Sequence, residues 1–229
     1  MGCYRNNLFY SPKKVFHTYK IIMKRFLTTF ILLLSGLFIQ AQETEDNTFG
    51  GWEFLEVAYN IKGTPLFASV YFEHDNYQYK RLECWYVRTM FGWNINKYFK
   101  ADVAYDFMQE PGYVTHRAVL DLQGSLKQGN LKVSVRERYI HSWSPEIGKQ
   151  GDVLRSRLKV QYDIPDTKFS PYVAAEVFTW GTTWKKTRHY VACTYDFTDF
   201  MQLEWYYIYY TFKGLPAEHV LGIGLNFEF

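Results

Sequence analysis

The stretch A-E-H-V-L-G-I-G-L-N-F-E-F, residues 217–229, decides the fold of this chain. From His219 onward every second residue is apolar or aromatic, and the residues between them are small or polar. A period of two places alternate side chains on opposite faces, so the stretch predicts a β-strand with one apolar face and one polar face. The apolar positions are Leu221, Ile223, Leu225, Phe227 and Phe229.

The same alternation recurs through the rest of the chain after residue 50. In segment 154–163, for example, Leu154 and Leu158 alternate with Arg155 and Arg157. Strands of this length cross a bilayer when they are tilted, and we expect tight turns to alternate with longer connectors such as 74–80 and 142–151. The predicted strands are 52–61, 65–74, 81–94, 98–109, 114–127, 130–141, 152–164, 169–180, 184–197, 200–212 and 217–229.

The composition supports a membrane barrel and argues against other classes. Aromatic residues make up 20% of the chain, which suits the interface girdles of a barrel in lipid. A mean hydropathy of -0.28 is too polar for a helical membrane protein, whereas a barrel strand exposes only one face to lipid. With a net charge of +3 and no basic stripe, the sequence predicts no nucleic-acid partner.

The start of the chain predicts an export signal. An apolar run, 26–39, follows Met23, Lys24 and Arg25 and is shorter than a membrane span. We expect cleavage after Ala41 and translation from Met23, so that 1–41 is an upstream segment plus a signal peptide and 42–229 is the barrel.

The fold prediction is an all-β, antiparallel up-and-down transmembrane β-barrel of about 10–12 strands. Eleven strands are readable, whereas single-chain outer-membrane barrels have even numbers. An extra strand in 44–51 would make twelve, the favoured count, and one segment outside the wall would make ten. The ending on Phe229 resembles the closing strand of bacterial outer-membrane barrels, which their assembly machinery reads. We therefore expect an outer-membrane location, with membrane lipid and that machinery as partners; the oligomeric state stays open.

Alternate positions of the predicted strands carry charged side chains that would point into the barrel. One interpretation is a selectivity lining for a polar solute; the other is a set of opposite charges that pair across a small lumen and plug it. Further inward charges are expected at Glu73, Glu83, Asp102, Asp106, Asp121 and Lys159. The candidate lumen network is Arg117, Arg136, Arg138, Arg155, Arg157, Glu176, Arg188 and Glu204.

One segment, His141-Ser142-Trp143-Ser144, is a candidate hydrolase site that resembles outer-membrane phospholipase A, also a barrel with a His/Ser pair. A serine nucleophile needs a base within hydrogen-bond reach. Both serines have the opposite parity to His141, so a straight strand would turn them to the other face. A lipid-modifying hydrolase is therefore the alternative function. No cysteine or histidine spacing suggests a metal or a cofactor.

Several segments of the sequence resemble those of a known family. L-R-S-R-L-K-V-Q-Y-D-I-P at 154–165, S-P-Y-V-A-A-E-V-F at 170–178 and H-V-L-G-I-G-L-N-F at 219–227 are similar to an uncharacterised family of small outer-membrane barrels from Bacteroidetes-type bacteria, catalogued as a domain of unknown function. The resemblance implies location and fold and supplies no catalytic residue.

In that family the recognisable positions match Arg155, Arg157, Tyr172 and Glu176, which the resemblance makes candidates for an internal Arg–Glu network. The expected function is a small, non-enzymatic outer-membrane barrel, either a narrow porin-like pore or a structural surface protein.

Overall fold

The computed structural model describes residues 48–77 and 81–229, which form strands joined by short turns. The predicted signal peptide and the start at Met23 lie outside the described residues. The strands are β1 (Thr48–Asn60), β2 (Leu66–Tyr77), β3 (Arg81–Asn94), β4 (Phe99–Glu110), β5 (Tyr113–Gln128), β6 (Leu131–Ser144), β7 (Gly148–Tyr162), β8 (Phe169–Trp180), β9 (Thr183–Thr198), β10 (Met201–Phe212) and β11 (Leu215–Glu228).

The strands close into one barrel in chain order, which confirms the predicted all-β barrel of ten to twelve strands. Each strand pairs antiparallel with its chain neighbour, but β1 and β11 pair in parallel, with Leu55 opposite Leu225. The reason is parity: an up-and-down path with an odd number of strands brings its first and last strands together in the same direction. The barrel is therefore mixed and not wholly antiparallel.

The twelfth strand expected in 44–51 is not formed by the part of that segment that the structure describes. Residues 48–51 are the beginning of β1, and they continue its pairing with β11 through Thr48 opposite Glu218. Residues 44–47 lie outside the described residues. The described barrel thus has eleven strands.

The predicted longer connectors are mostly strand, so that expectation was wrong. The strand β2 continues to Tyr77, and β6 and β7 are separated by only residues 145–147. A β-bulge at the Asp75–Asn76 step lets pairing continue past the point where the sequence alternation weakens.

Tight hairpins connect several strands of the barrel through glycines of positive φ, such as Gly112 (φ 94°) and Gly214 (φ 79°).

The outer face of the barrel is apolar, because the period of two sends every second side chain outward. A band of aliphatic and aromatic side chains covers the middle of the wall, as a barrel in lipid requires. Its exposed members include Val70, Phe72, Val103, Leu120, Leu122, Val135, Leu158, Val173, Val177 and Ile223.

Aromatic and histidine rings border this band at both ends. Near the end that carries Thr48, the His116 ring stacks on Trp143 at 5.6 Å. At the opposite end, the Phe200 and Phe229 rings stack at 5.7 Å. Amphipathic rings at these levels suit the two membrane–water interfaces. Trp180, near the same end as Trp143, lines the lumen.

No helix in residues 48–77 or 81–229 has the length and apolar character needed to cross a bilayer.

The parallel seam between β1 and β11 can be tested by cross-linking. In a background without the free thiols of Cys84 and Cys193, we expect Leu55→Cys with Leu225→Cys to form a disulfide under mild oxidation, because these residues are direct partners. The measurement is the faster migration of the heat-denatured, circularised chain on a gel.

The matched control is Leu55→Cys with Leu221→Cys, which lies four residues away along β11. A disulfide in the control and none at Leu225 would contradict this register.

Candidate functional site

A cavity with a volume of about 820 Å³ lies in the interior of the barrel. On β11 its lining extends from Glu218 to Asn226, and on β5 from Thr115 to Gln123. Eight residues of a tilted strand rise roughly 20 Å along the barrel axis. The cavity therefore follows most of the membrane-spanning height of the wall.

One part of the cavity wall is a ladder of ion pairs between neighbouring strands β3, β4 and β5. The Arg88 side chain donates to Asp106 from Nε at 2.6 Å and from Nη2 at 2.8 Å. Arg117 Nε donates to Asp106 Oδ2 at 2.7 Å, the same oxygen that accepts from Arg88 Nη2. Both arginines are direct cross-strand partners of Asp106, which is 0% exposed. The register itself thus places these charges together.

The ladder continues onto β6 with a bidentate pair. Arg138 Nε donates to Asp121 at 2.7 Å, and Nη2 donates to the second carboxylate oxygen at 2.5 Å. These two residues are again direct partners, on β6 and β5. Fork-like arginine–carboxylate geometry combines charge with fixed orientation, so the pair holds both side chains along the wall.

A second cluster surrounds Glu176 on β8, whose side chain is 0% exposed. Arg136 Nη2 donates to it at 2.7 Å, Arg155 Nη2 at 2.8 Å, and Arg188 Nη1 lies 3.9 Å away. The Tyr190 hydroxyl donates a further hydrogen bond at 3.1 Å. Three guanidinium groups on one carboxylate give the cluster a formal charge of +2.

The remaining predicted residues lie beside these clusters. Arg157 is the direct cross-strand partner of Glu176 and lines the cavity. Glu204 also lines the cavity and accepts a hydrogen bond from the Tyr172 hydroxyl. The structure therefore places all eight residues of the candidate network on the inner wall. It brings Arg136, Arg155, Arg157, Glu176 and Arg188 together in one group, and Arg117 and Arg138 belong to the ladder.

Sequence reasoning missed the aromatic part of the inner wall. Trp52, Tyr206 and Tyr210 are buried inside the barrel together with Ile208 and Val220. The sequence analysis assigns the aromatic residues to interface girdles, but an aromatic residue satisfies either face of an alternating strand. Tyr206 and Tyr210 are separated from the inward-facing Glu204 by an even number of residues, so the alternation of the strand could have predicted that they face inward.

Two glycines of β11 let these rings lie flat against the wall. A Cβ atom at Gly222 would lie 2.0 Å from Cζ of Tyr206, and one at Gly224 would lie 2.1 Å from Cε1 of Phe54. Such distances are much shorter than the sum of two carbon van der Waals radii, so a side chain at either position would clash with the ring. The glycines thus keep both rings out of the centre of the cavity.

The His141 segment does not form a hydrolase site. His141 Nδ1 lies 2.6 Å from Asp152 Oδ1 on the outer face, whereas Ser142 lines the cavity on the inner side. Ser144 is 2% exposed and donates to Glu146 at 2.8 Å. The β-sheet itself separates the base from both serines, as their parity predicted.

Within residues 48–77 and 81–229, no group of three or more His, Cys, Asp and Glu side chains has the arrangement of a metal site.

A closed barrel with an apolar outer face and a charged lumen defines a transmembrane β-barrel. Residues 49–218 match the model of the family described as Protein of unknown function (DUF2490), and the chain belongs to this family. This confirms the resemblance to an uncharacterised family.

One solved porin barrel shares the fold, and a second gives a lower score. The NanC porin superposes with a TM-score of 0.53 at 14% identity, over 79% of this chain and 97% of that one. The KdgM porin gives a TM-score of 0.46 at 12% identity, over 68% of this chain and 81% of that one. A comparison with curated proteins returns no match.

The Glu176 cluster generates a stability prediction. Glu176→Gln leaves Arg136, Arg155 and Arg188 without their shared carboxylate, so we expect the free energy of unfolding to fall by roughly 3–5 kcal/mol. Urea-induced unfolding in detergent micelles measures this change.

The control is Glu228→Gln, which removes a carboxylate that is exposed and bonded only to Asn60 among the described residues. Equal losses in the two variants would show that the cluster around Glu176 has no special role in stability.

Proposed function

We propose that this protein is a non-enzymatic, narrow channel of the bacterial outer membrane through which small polar solutes diffuse. The observation that carries the proposal is the cavity of about 820 Å³ along the inner wall, lined by charged and hydrogen-bonding side chains. Polar side chains facing a lumen are typical of barrels that conduct water and solutes.

The pattern of ion pairing supports a lined pathway over a plugged one. Charges that plugged the barrel would pair across the lumen. Instead Arg88, Arg117 and Arg138 pair with carboxylates on the adjacent strand, and Arg136 on β6 reaches only as far as Glu176 on β8. These side chains lie along the wall and leave the centre of the barrel to the cavity.

The size of the barrel supports a small solute. Barrel diameter grows with strand number, and porins of 16–18 strands leave a wide aqueous channel. Eleven strands enclose much less space, and rings such as Trp52 and Tyr210 occupy part of it. The proposed pathway therefore suits single small molecules.

The outer face supports the location. The apolar band would contact outer-membrane lipid, and the ring girdles would lie at its interfaces. Phe229 is 57% exposed at the end of the barrel, where only Phe200 stacks on it among the described residues. We expect this exposed ring to be accessible to the assembly machinery. A lipid-modifying hydrolase lacks support, since the sheet separates His141 from Ser142 and Ser144.

Channel activity predicts defined conductance steps when the purified barrel is inserted into a planar bilayer. Gly224→Val should lower the single-channel conductance, because the new side chain displaces the Phe54 ring from the wall into the cavity. Leu225→Val is the matched control, since it changes the neighbouring residue on the lipid side. A wild-type current trace without conductance steps at any voltage would contradict the proposal that the barrel is a channel.

The role of the terminal ring predicts an assembly defect. Phe229→Ala should reduce the amount of heat-modifiable barrel in the membrane fraction, while the barrels that do form keep normal stability. Phe200→Ala is the control, because it removes the same stacking contact and leaves the terminus intact. Equal assembly losses in both variants would assign the effect to stacking and not to recognition of the terminus.

A further inference from the structure

The charges around the cavity are divided between two walls. We define the basic wall as the cavity-lining charged side chains of β5–β9 with Glu176, and the acidic wall as those of β10, β11 and β1–β4 with Asp106. The basic wall holds Arg117, Arg136, Arg138, Arg155, Arg157, Lys159, Lys186 and Arg188 with Asp121 and Glu176. The acidic wall holds Glu56, Glu73, Asp75, Glu83, Asp102, Asp106, Glu110, Glu204 and Glu218 with Arg88 and Lys100.

The formal charges of the two walls are large and opposite. Eight cations against two carboxylates give the basic wall +6, and nine carboxylates against two cations give the acidic wall -7. The cavity as a whole therefore carries a formal charge of -1. Its interior is nearly neutral in sum and strongly polarised across its width.

On the acidic wall, several carboxylates are bonded to neutral groups. The Tyr71 hydroxyl donates to Glu73, and the Tyr172 hydroxyl donates to Glu204. Cys84 Sγ donates to Asp75 at 3.3 Å. A neutral donor supplies no compensating positive charge, so an ionised carboxylate bonded in this way still attracts a cation from the cavity.

On the basic wall, several cations rest on aromatic rings. Lys159 Nζ lies 3.7 Å from the centroid of the Tyr172 ring, and Lys186 Nζ lies 4.7 Å from that of Phe178. The Arg188 guanidinium lies 4.5 Å from the centroid of Trp52. Ring faces orient these cations without neutralising them.

Buried polar atoms without hydrogen-bond partners occur on both walls. On the acidic wall they include the Oδ1 atoms of Asp75 and Asp102, residues that are 9% and 8% exposed. On the basic wall they include the Nε atoms of Arg136 and Arg188. Acceptors are thus free on one side and donors on the other.

We infer, on the basis that the barrel is a channel, that its solutes are small zwitterions carrying an ammonium and a carboxylate group, the class of amino acids and short peptides. Such a molecule turns its ammonium to the acidic wall and its carboxylate to the basic wall. A simple anion or cation is attracted by one wall and repelled by the other, and a neutral molecule gains little from either.

The experiment compares two solutes of similar size in swelling of phosphatidylcholine vesicles that contain the purified full barrel. Glycylglycine is the zwitterion, and N-acetylglycinamide is its neutral counterpart. We expect glycylglycine to enter roughly threefold faster through the wild-type channel. Equal rates, or faster entry of the neutral solute, would contradict the preference for zwitterions, whereas entry of either solute would still support the proposed channel.

Variants of each wall make the test specific. Arg157→Gln with Lys159→Gln weakens the basic wall, and Glu73→Gln with Glu204→Gln weakens the acidic wall. Both pairs should abolish the preference for glycylglycine. In a salt gradient their reversal potentials should move in opposite directions, the first toward cation selectivity and the second toward anion selectivity. Shifts in the same direction would contradict the two-wall arrangement.

The control variant is Lys185→Gln with Glu228→Gln, which removes one charge of each sign at exposed positions outside the cavity. It should keep both the preference and the reversal potential. A wild-type barrel that admits neither solute and carries no current would remove the proposed channel as well, which distinguishes the two failures.

Discussion

Closure of the sheet on itself is the constraint on which the rest of this structure depends. In lipid every backbone N–H and C=O needs a partner within the protein, so an open edge is not tolerated. The pairing of β1 with β11 removes the last edge, from Thr48 opposite Glu218 to Ala58 opposite Glu228. The same pairing fixes the register, and a slip of one residue would turn the fully buried carboxylate of Glu176 toward lipid.

The lumen follows from that register. Asp106 has Arg88 on one side and Arg117 on the other because β3, β4 and β5 place these residues directly opposite one another. Cross-strand pairing therefore draws arginines along the wall and leaves the centre open. The glycines at 222 and 224 also keep the centre open, because they let the rings of Tyr206 and Phe54 lie against the sheet.

Much of the fold could be predicted because the period of two is a local property. Segment 154–163 shows which residues face lipid and which face inward without any knowledge of its neighbours. The strand ends were harder, since β2 continues through a bulge to Tyr77 where the alternation weakens. Aromatic inner positions such as Tyr210 escaped notice because a large ring suits either face of the wall.

The sequence by itself determined the class of the protein: a membrane barrel with an apolar exterior, a charged interior and the eight candidate lumen residues on the inward parity. Only the tertiary structure decided the odd strand number with its parallel seam, the shared contacts of Glu176 with three arginines, and the division of charge into two walls. Parity is set by each strand alone, whereas pairing partners depend on register and closure between strands distant in sequence.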